Sequence, residues 1–442
     1  MNSRRQFLKA AGLLSLSSGL TLSLCSTKRS RPNILLICAD DLGWNDVGLY
    51  GGDIATPFID SIGQNGIRFT RFYVTAPVCT PSRFGLLTGR YHYRAPQPFW
   101  GALMPGQHDE VKLPEDEKTI ADELKKNGYS TALVGKWHLG HGDSGYGPNS
   151  HGFDFFYGFK PGCIDFNTHT YKTEPALYRN DEQIEEEGWA TDLFTDEALQ
   201  FIEKQQLNPF FLFLSYNAPH YGKCAEGNLL QSPPGYPDLP EKSKDDRDVY
   251  SAMVKNMDDN IGRVLHKLAE LQLTKDTIIL FLSDNGGSYA YGGNNMPLLG
   301  EKGTLWEGGI RVPCCLQWPG QIESGQVRDE PLSALDLFPT LLQFVAVSQP
   351  AHAVDGADVS EVLLKDAPLK SRYLYFLYKK QKVVINGDWK YVRDVTGKEY
   401  LFNLAEDPSE QKNVAAPLQQ ATYRLRGQLD SFVLRMRESG EG

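Results

Sequence analysis

The chain has 442 residues, of which 41% are hydrophobic and 23% are charged. This composition is typical of a globular protein and excludes a disordered chain, a collagen and a coiled coil, while the length predicts about two or three domains. The formal net charge of −10 disfavours a nucleic-acid-binding protein, which needs a clustered basic surface, but is compatible with a local cationic pocket for an anionic substrate.

The first 25 residues have the pattern of an export signal. Arg4 and Arg5 precede an apolar run, Ala10–Leu24, that is shorter than the roughly 20 residues of a membrane-spanning helix. Paired arginines are typical of the twin-arginine type, so we expect an exported, periplasmic or secreted protein without a transmembrane span. The segment before Cys25 partly resembles a lipoprotein box, but Leu24 stands where a small residue is usual, which makes lipid anchoring the less favoured alternative.

Continuous apolar runs alternate with helical patterns from residue 32 to residue 347. The predicted strands are Asn33–Ala39, Ser130–Gly135, Pro209–Ser215 and Thr277–Ser283. The predicted helices are Thr119–Asn127, Thr191–Gln205 and Asp245–Leu271. Because apolar strands separated by helices form parallel sheets covered on both faces, we predict an α/β domain with a large, mostly parallel sheet sandwiched by helices.

A different pattern begins at about residue 348. Short segments that partly alternate between apolar and polar residues are separated by glycine or polar turns: Tyr373–Tyr378, Lys382–Ile385, Trp389–Arg393 and Tyr400–Phe402. They predict a small antiparallel sheet, followed by a helix over Pro417–Arg437. Residues 348–442 are therefore a predicted C-terminal α+β subdomain.

Oxygen-rich pairs directly follow two of the predicted strands. Asp40 and Asp41 follow the first strand, and Asp284 and Asn285 follow the fourth. Ligands of open α/β sheets bind at the carboxyl ends of the strands, so both pairs are expected at one rim. Three carboxylates and an amide suit a hard divalent cation, Ca²⁺ or alternatively Mg²⁺. Either pair alone is better explained as a loop or helix cap, but two pairs after buried strands favour a metal site.

Cys79 lies at the predicted start of a helix. Within Val78–Arg83, Thr80 suits the N-cap and Pro81 suits the first helical position. Free N–H groups at a helix start favour anions, and Arg83 adds a full positive charge nearby. Cys79 is then either a buried structural thiol or a redox thiol with a lowered pKa, although the sequence contains no C-x-x-C motif to support redox chemistry.

The motif Cys79–Arg83, followed by Leu87–Arg90, resembles the signature of the type I sulfatases of the alkaline phosphatase superfamily. In that family the cysteine is oxidised after synthesis to formylglycine, whose hydrated aldehyde is the nucleophile. Further segments resemble the family in the same order: Pro32–Gly43, Gly135–Gly140, Ala218–His220, Ser283–Gly287, Gly300–Pro313 and Leu401–Glu410. The resemblance covers most of the chain and implies a sulfatase whose catalytic domain is residues 32–347.

The resemblance also implies the ligands of a calcium ion. They are the residues of the two oxygen-rich pairs and the modified cysteine: Asp40, Asp41, Asp284, Asn285 and Cys79. Sulfate oxygens repel anionic nucleophiles, so a metal ion must help to offset their charge.

Five basic residues are implied to act on the hydrate or on the substrate. Arg83 would hold the hydrate, which Lys136 and His138 would contact, with His138 as the base that expels sulfate. His220 would be the general acid for the leaving alcohol, and Lys302 would bind a sulfate oxygen. Lys136, His220 and Lys302 are thus the implied substrate-binding residues.

Family habit and export imply a sulfated carbohydrate as substrate and a formylglycine-generating maturation enzyme as partner. Three alternatives stay open at this point. The first is a formylglycine-dependent phosphoester or phosphonate hydrolase of the same superfamily. The second is a non-catalytic receptor for sulfated glycans in which Cys79 is never modified, and the third is the redox thiol.

Several features outside these motifs carry weaker expectations. The glycine-rich stretch Gly286–Gly309 lacks the ending of a phosphate-binding loop and is expected to shape the site around Lys302. His141, His151 and His169 are expected to be solvated loop residues. Cys163 and Cys224 could pair in an oxidising compartment, but the sequence does not decide this.

Overall fold

The structure is a computed structural model that describes residues 31–104, 106–142, 145–222, 227, 229–236, 247–350 and 352–438. The predicted export signal at residues 1–25, including Cys25, lies outside the described residues, and so does Cys224. The part of the chain that begins at Arg31 forms one unit.

The strands of the described residues carry the labels β1 to β18 in chain order. They are β1 (Asn33–Ala39), β2 (Ile67–Phe69), β3 (Phe72–Tyr73), β4 (Ser130–Lys136), β5 (Phe155–Phe159), β6 (Thr170–Tyr171), β7 (Glu174–Pro175), β8 (Leu177–Arg179), β9 (Glu182–Gln183), β10 (Phe210–Ser215), β11 (Thr277–Ser283), β12 (Cys314–Gln317), β13 (Gln326–Arg328), β14 (Leu332–Ser333), β15 (Leu374–Tyr378), β16 (Gln381–Asn386), β17 (Trp389–Arg393) and β18 (Glu399–Asn403).

The α-helices are α1 (Pro57–Gln64), α2 (Cys79–Thr88), α3 (Ile120–Lys126), α4 (Ala190–Lys204), α5 (Arg247–Glu270), α6 (Glu307–Ile310), α7 (Leu337–Phe344), α8 (Ser360–Lys365) and α9 (Gln419–Glu438). The predicted helices of the α/β region correspond to α3, α4 and α5. None of the helices in the described ranges has both the length and the apolar character that crossing a bilayer requires.

A ten-stranded sheet organises the α/β region, with the strand order β13-β2-β12-β11-β1-β10-β4-β5-β8-β9. Its central strands β11, β1, β10, β4 and β5 are parallel. The pairs β11–β12, β12–β2, β5–β8 and β8–β9 are antiparallel. The predicted α/β class with a mostly parallel sheet is therefore confirmed.

The sheet is buried on both faces, as the continuous apolar strands predict. Ile34 and Leu36 of β1 belong to one hydrophobic core, which includes side chains of α2, α3, α7 and α8. Leu35 and Ile37 of the same strand belong to a second core, which includes side chains of α1, α4 and α5. Helices thus cover both faces and hold the carboxyl ends of the central strands in a fixed arrangement.

The C-terminal strands form the predicted antiparallel sheet, in the order β15-β16-β17-β18. One face of this sheet, with Val383 and Val392, belongs to the same hydrophobic core as α2 and α3. The other face, with Val384 and Tyr391, packs on α9 through Leu429 and neighbouring apolar residues. The domain boundary near residue 347 stays a prediction.

The helix that follows Val78 begins earlier than predicted. Cys79 is itself the first residue of α2 and Val78 is the N-cap, so Thr80 does not cap the helix. Instead, Oγ1 of Thr80 donates to the carbonyl of His138 at 3.1 Å and accepts from the N–H of Leu103 at 3.1 Å. The prediction for Thr80 is wrong because a tertiary partner, rather than the helix end, takes its hydroxyl.

Candidate active site

Neighbouring parallel strands bring four chain segments to one rim of the sheet. β11, β1, β10 and β4 are adjacent, and their carboxyl ends lead into Asp284, Asp40, Tyr216 and Trp137. The N–H of Asp284 donates to the carbonyl of Ala39 at 3.0 Å, which ties the first two strand ends together. The rim predicted for the two oxygen-rich pairs therefore exists.

The two oxygen-rich pairs are in direct contact. Nδ2 of Asn285 donates to Oδ1 of Asp41 at 2.7 Å, and the N–H of Asp41 donates to Oδ1 of Asp284 at 3.2 Å. Asp41 has a left-handed backbone with φ of 65°, a conformation that costs a non-glycine residue about 1–3 kcal/mol. The contacts to Asp284 and Asn285 hold this strained turn.

Each of the three carboxylates faces a cation. Nζ of Lys136 lies 2.6 Å from Oδ2 of Asp40, and Nζ of Lys302 lies 2.6 Å from Oδ2 of Asp41. Nε of Arg83 donates to Oδ2 of Asp284 at 2.9 Å. All of these groups are buried apart from Lys302, which is partly exposed. Three buried acids and three basic groups thus balance each other in formal charge.

The electrostatics of the acids show how crowded the negative charge is. Burial and the neighbouring carboxylate of Asp40 raise the pKa of Asp284 to about 6, against the lowering effect of Arg83. Burial alone would also raise the pKa of Asp41, but Lys302 and His220 lower it to about 2. Adjacent carboxylates that repel each other in this way are a favourable place for a cation.

The donor atoms fit a hard divalent cation. Oδ1 of Asp40 and Oδ1 of Asn285 are buried and accept no hydrogen bond from any described residue. Oxygens of Asp40 and Asp41 also lie within 4.8 Å of each other and of a ring nitrogen of His220. Unsatisfied buried oxygens are costly unless an ion or a water satisfies them, so the oxygen donors match the predicted calcium site.

Cys79 lies next to these charged groups. It is fully buried, and the N–H of Gly303, next to Lys302 in the chain, donates to the carbonyl of Pro77 at 2.8 Å. Burial raises the pKa of the Cys79 thiol, while Lys136 and Lys302 lower it and the acids raise it further. This raised pKa does not favour the redox alternative, which requires a thiol with a lowered pKa.

His138 presents one unprotonated nitrogen. Its Nε2 lies 2.9 Å from the carbonyl oxygen of Leu103, and since a carbonyl can only accept, Nε2 carries the proton. Its Nδ1 is buried without a hydrogen-bond partner among the described residues. Burial and the charge of Lys136 hold the pKa of His138 well below its ordinary value. The neutral imidazole thus keeps Nδ1 as its basic atom.

A backbone carbonyl also fixes the orientation of His220, but it binds Nδ1 rather than Nε2. Its Nδ1 lies 2.9 Å from the carbonyl oxygen of Tyr221, so Nδ1 donates and Nε2 is the nitrogen that exchanges a proton. Nε2 lies 3.6 Å from Oδ2 of Asp41. Burial and Lys302 lower the pKa of His220 to about 3, although Asp41 raises it. Negative charge placed beside Nε2 would raise this pKa and favour the protonated ring.

Sequence reasoning missed several residues that hold the site. Oγ of Ser215 donates to the carbonyl of Lys136 at 2.8 Å and lies 2.6 Å from Nη1 of Arg83, which fixes the guanidinium. Gly135 has φ of 108°, and a Cβ there would lie 1.9 Å from the carbonyl oxygen of Ser215. The sequence could have indicated Ser215, because it ends a predicted buried strand at the rim where the other site residues lie. Asn217 has a buried amide with no hydrogen bond to any described residue, and no motif marked it.

The loop that carries Lys302 is fixed from both sides. The N–H of Lys302 donates to the carbonyl of Gly287 at 3.2 Å, as expected for a loop that shapes the site. Oε1 of Gln381, in the C-terminal sheet, accepts from the N–H of Leu305 at 2.7 Å. Nζ of Lys390 lies 2.9 Å from Oε1 of Glu307, and both residues are buried. The C-terminal sheet therefore takes part in positioning Lys302.

Two of the weaker expectations are wrong. His151 is buried and stacks on Trp137 with ring centroids 5.8 Å apart, and His169 is buried with Nε2 3.0 Å from the carbonyl oxygen of Gly188. Each histidine is buried by a contact with a segment that is distant in the sequence, Trp137 for His151 and Gly188 for His169. Cys163 is disulfide-bonded, while Cys38, Cys79, Cys314 and Cys315 are free.

Comparisons with known proteins identify relatives along nearly the whole described chain. A family model described as Sulfatase matches residues 32–347. A second, described as N-sulphoglucosamine sulphohydrolase, C-terminal, matches residues 299–438. Together the two cover the α/β region and the C-terminal sheet with its helix.

Individual relatives agree with these family matches. The chain is 35% identical over 371 residues to N-acetylgalactosamine-6-sulfatase of Homo sapiens, covering 78% of this chain and 68% of the relative. It is 33% identical over 418 residues to steryl-sulfatase of Homo sapiens, covering 76% and 70%. Among solved structures, Ps i-CgsB in complex with k-i-k-neocarrahexaose is similar with a TM-score of 0.83 and 32% identity, over 91% of this chain and 92% of that one.

Proposed function

The chain belongs to the sulfatase family, whose relatives are sulfuric ester hydrolases, and on this premise we propose that it removes O-sulfate groups from carbohydrates. The reaction would use a formylglycine made from Cys79 and a bound calcium ion. The observation that carries the proposal is the contact of Asp40, Asp41 and Asp284 with three cations beside Cys79.

The charge balance of the site supports a metal ion together with an anionic substrate. Asp40, Asp41 and Asp284 are matched by three basic residues, so a dication would leave the pocket with net positive charge. Asp40, Asp41, Asp284 and Asn285 would hold calcium, with Mg²⁺ as the alternative. The ion would supply a Lewis acid that offsets negative charge on the sulfate oxygens. His220 is better suited to proton transfer than to ligation, since calcium prefers oxygen donors.

Cys79 suits a nucleophile that is made after synthesis. Its raised thiol pKa makes it a poor nucleophile unmodified, and a thiol adduct of sulfate would have no route for breakdown. A hydrated formylglycine supplies two hydroxyls, one to attack sulfur and one whose deprotonation expels sulfate and restores the aldehyde. Arg83, fixed by Ser215, would neutralise charge on this group.

The two histidines suit opposite proton transfers. An alkoxide is a poor leaving group. A proton from Nε2 of His220 would neutralise the ester oxygen as its bond to sulfur breaks, so that the alcohol leaves. Negative charge on the bound sulfate would raise the low pKa of this ring and load the proton. Nδ1 of His138 would take the proton from the second hydroxyl when sulfate is expelled. Lys136 and Lys302 would bind the sulfate oxygens.

Support for a carbohydrate comes from the relatives. The structural relative with a TM-score of 0.83 holds a neocarrahexaose, and the relative that is 35% identical is named for an N-acetylgalactosamine sulfate. A steryl-sulfatase of similar identity is the competing precedent. Exported sulfatases meet sulfated polymers outside the cell, and the pattern of residues 1–25 supports export to the periplasm or beyond. A formylglycine-generating enzyme is then the required partner.

The test compares the turnover of four substrates: a sulfated galactan oligosaccharide, a steryl sulfate, an aryl sulfate and the matching aryl phosphate. Release of sulfate is measured for the first three and release of phosphate for the fourth. The proposal predicts a higher kcat/KM for the oligosaccharide than for the steryl sulfate, and faster turnover of the aryl sulfate than of the aryl phosphate. Cys79→Ala is the inactive control. A preference for the steroid would contradict the carbohydrate assignment, and faster phosphate turnover would favour the phosphoester hydrolase alternative.

A further inference from the structure

A cleft of about 350 Å³ opens between the C-terminal sheet, α9 and the segment that follows α2. Tyr93 and Trp100 line one side, and the turn between β15 and β16 lines the other with Tyr378, Lys379 and Lys380. Lys382 also lines it, and no acid does within the described part of the chain. The cleft therefore combines aromatic surface with positive charge in a protein whose net charge is negative.

The aromatic wall leads to the active site. Trp100 ends a short helix, Gln97–Trp100, and three residues later the carbonyl of Leu103 binds Nε2 of His138 at 2.9 Å. The N–H of Leu103 donates to Thr80, the residue after Cys79, at 3.1 Å. Trp100 is thus three residues before Leu103, whose backbone is fixed at both His138 and Thr80.

The basic wall leads to the active site from the other side. Gln381, which pairs with Tyr378 across the β15–β16 turn, accepts from the N–H of Leu305 in the loop of Lys302 at 2.7 Å. Burial raises the pKa of Tyr378, and its hydroxyl lies close enough to Cys79 and Lys302 for their charges to act on it. Each wall of the cleft therefore continues into a segment that contacts the active site or the loop of Lys302.

The floor of the cleft is rigid, while the lysines are exposed. The hydroxyl of Tyr93 donates to the carbonyl of Leu377 at 3.1 Å, and its ring packs edge-on against Trp100 with centroids 6.0 Å apart. Lys379 has φ of 52° at the turn, and its Nζ lies 5.2 Å from the centroid of the Tyr378 ring. Lys379 and Lys380 are exposed and do not contribute to the catalytic cluster.

We infer that this cleft is a second anion-binding subsite, which holds a neighbouring sulfated sugar of the same oligosaccharide while the sulfate at Cys79 is removed. The inference rests on the proposed carbohydrate sulfatase function. Aromatic rings bind the apolar faces of sugars, and lysines at the mouth bind sulfate groups as point charges. The substrate class that fits is a glycan sulfated on adjacent residues, rather than one with an isolated sulfate.

The test uses a double variant, Lys379→Gln with Lys380→Gln, and a matched control, Lys365→Gln with Lys370→Gln. The control lysines are also exposed, and they precede β15, at the end of that strand opposite the turn. Kinetics are measured on an aryl sulfate and on two oligosaccharides of the same backbone, one sulfated once and one sulfated on adjacent sugars. The same titrations are repeated at high salt.

The subsite predicts that the double variant raises KM for the multiply sulfated oligosaccharide by about 3- to 20-fold, the product of two exposed ion pairs. Turnover of the aryl sulfate and of the singly sulfated oligosaccharide should stay unchanged, and the difference in KM should shrink at high salt. The control variant should match the wild type on all three substrates. An unchanged KM for the multiply sulfated substrate, with full aryl sulfate turnover, would overturn the subsite.

Failure of the proposed function has a different signature. If the wild type hydrolyses no sulfate ester, the carbohydrate sulfatase proposal fails. Calorimetric titration of the multiply sulfated oligosaccharide into wild type and double variant then still tests the cleft. A weaker Kd in the double variant supports an anion-binding subsite, and an equal Kd overturns it.

Discussion

Lys302 lies with its Nζ 2.6 Å from Oδ2 of Asp41, although the two residues are 261 positions apart in the chain. One is the proposed sulfate-binding lysine and the other a proposed calcium ligand, so the two halves of the site are in direct contact. Charge removed from either half must change the other.

Removal of one metal-binding carboxylate should abolish turnover through loss of the ion. Asp284→Asn keeps the size of the side chain but removes a charge that also faces Arg83. We expect calcium stoichiometry to fall well below that of the wild type and sulfate ester turnover to fall with it. Chelation of the wild type should have the same effect, with activity restored by added Ca²⁺. Full calcium content in an inactive Asp284→Asn protein would contradict the ligand assignment.

The leaving group should decide how much His220 matters. An alkyl alcohol needs a proton as it leaves and an activated aryl alcohol does not, so His220→Ala should lower kcat for alkyl sulfates by about 10²–10⁴ and for aryl sulfates far less. His138→Ala is the matched comparison, because that residue acts after the alcohol has left and should affect both substrates alike. Equal losses in the His220 variant would remove its role as general acid.

A buried ion network should make the C-terminal sheet essential to stability. Lys390 is fully buried and lies 2.9 Å from Oε1 of Glu307 and 2.8 Å from Oε1 of Glu410. Lys390→Met would leave the buried Glu410 without this cation and Glu307 with Arg311 alone, and should lower the free energy of unfolding by about 3–5 kcal/mol.

The measurement is denaturant unfolding of the full chain, with Lys398→Met as control. Lys398 is exposed in the turn between β17 and β18, so its replacement should change the free energy of unfolding by no more than about 0.5 kcal/mol. A small effect at Lys390, comparable to that at Lys398, would mean that the network is not stabilising.

One buried histidine should make the fold sensitive to mild acid. Burial lowers the pKa of His92 to about 3, and neither ring nitrogen has a hydrogen-bond partner among the described residues. Below about pH 6.5 the unfolded chain binds a proton that native His92 does not, so this residue lowers stability by about 1.4 kcal/mol per pH unit. This loss of stability is absent above that pH and grows as the pH falls towards the pKa of the folded protein.

His92→Leu removes the side chain that binds a proton in the unfolded chain but not in the folded chain. The free energy of unfolding of the variant, minus that of the wild type, should therefore rise by about 2 kcal/mol between pH 7 and pH 5. Denaturant unfolding at both pH values measures the difference. A difference that does not change with pH would show that the pKa of His92 is the same in the folded and the unfolded protein.

The strands and the rim were predictable because both depend on local sequence. A continuous apolar run such as Thr277–Ser283 can only be buried, and an acidic pair directly after such a run must lie at the carboxyl end of the sheet. The helix start at Cys79 was misplaced because Thr80 takes partners from His138 and Leu103. Such partners are distant in sequence and leave no local pattern.

The remaining parts of the site depend on tertiary contacts alone. Ser215 fixes Arg83 from a neighbouring strand, and Gln381 and Lys390 hold the Lys302 loop from the C-terminal sheet. The sequence does not predict these pairs, because each partner could equally be an ordinary residue at the end of a strand or in the core. Burial of His151 is likewise a consequence of packing on Trp137, which sequence order does not reveal.

The most direct test of the account is the mass of the tryptic peptide Phe72–Arg83, taken from protein produced in its native host that turns over a sulfate ester. The account predicts that residue 79 carries an aldehyde or its hydrate in place of the thiol, in proportion to activity. Fully active protein in which this peptide retains an unmodified cysteine would contradict it.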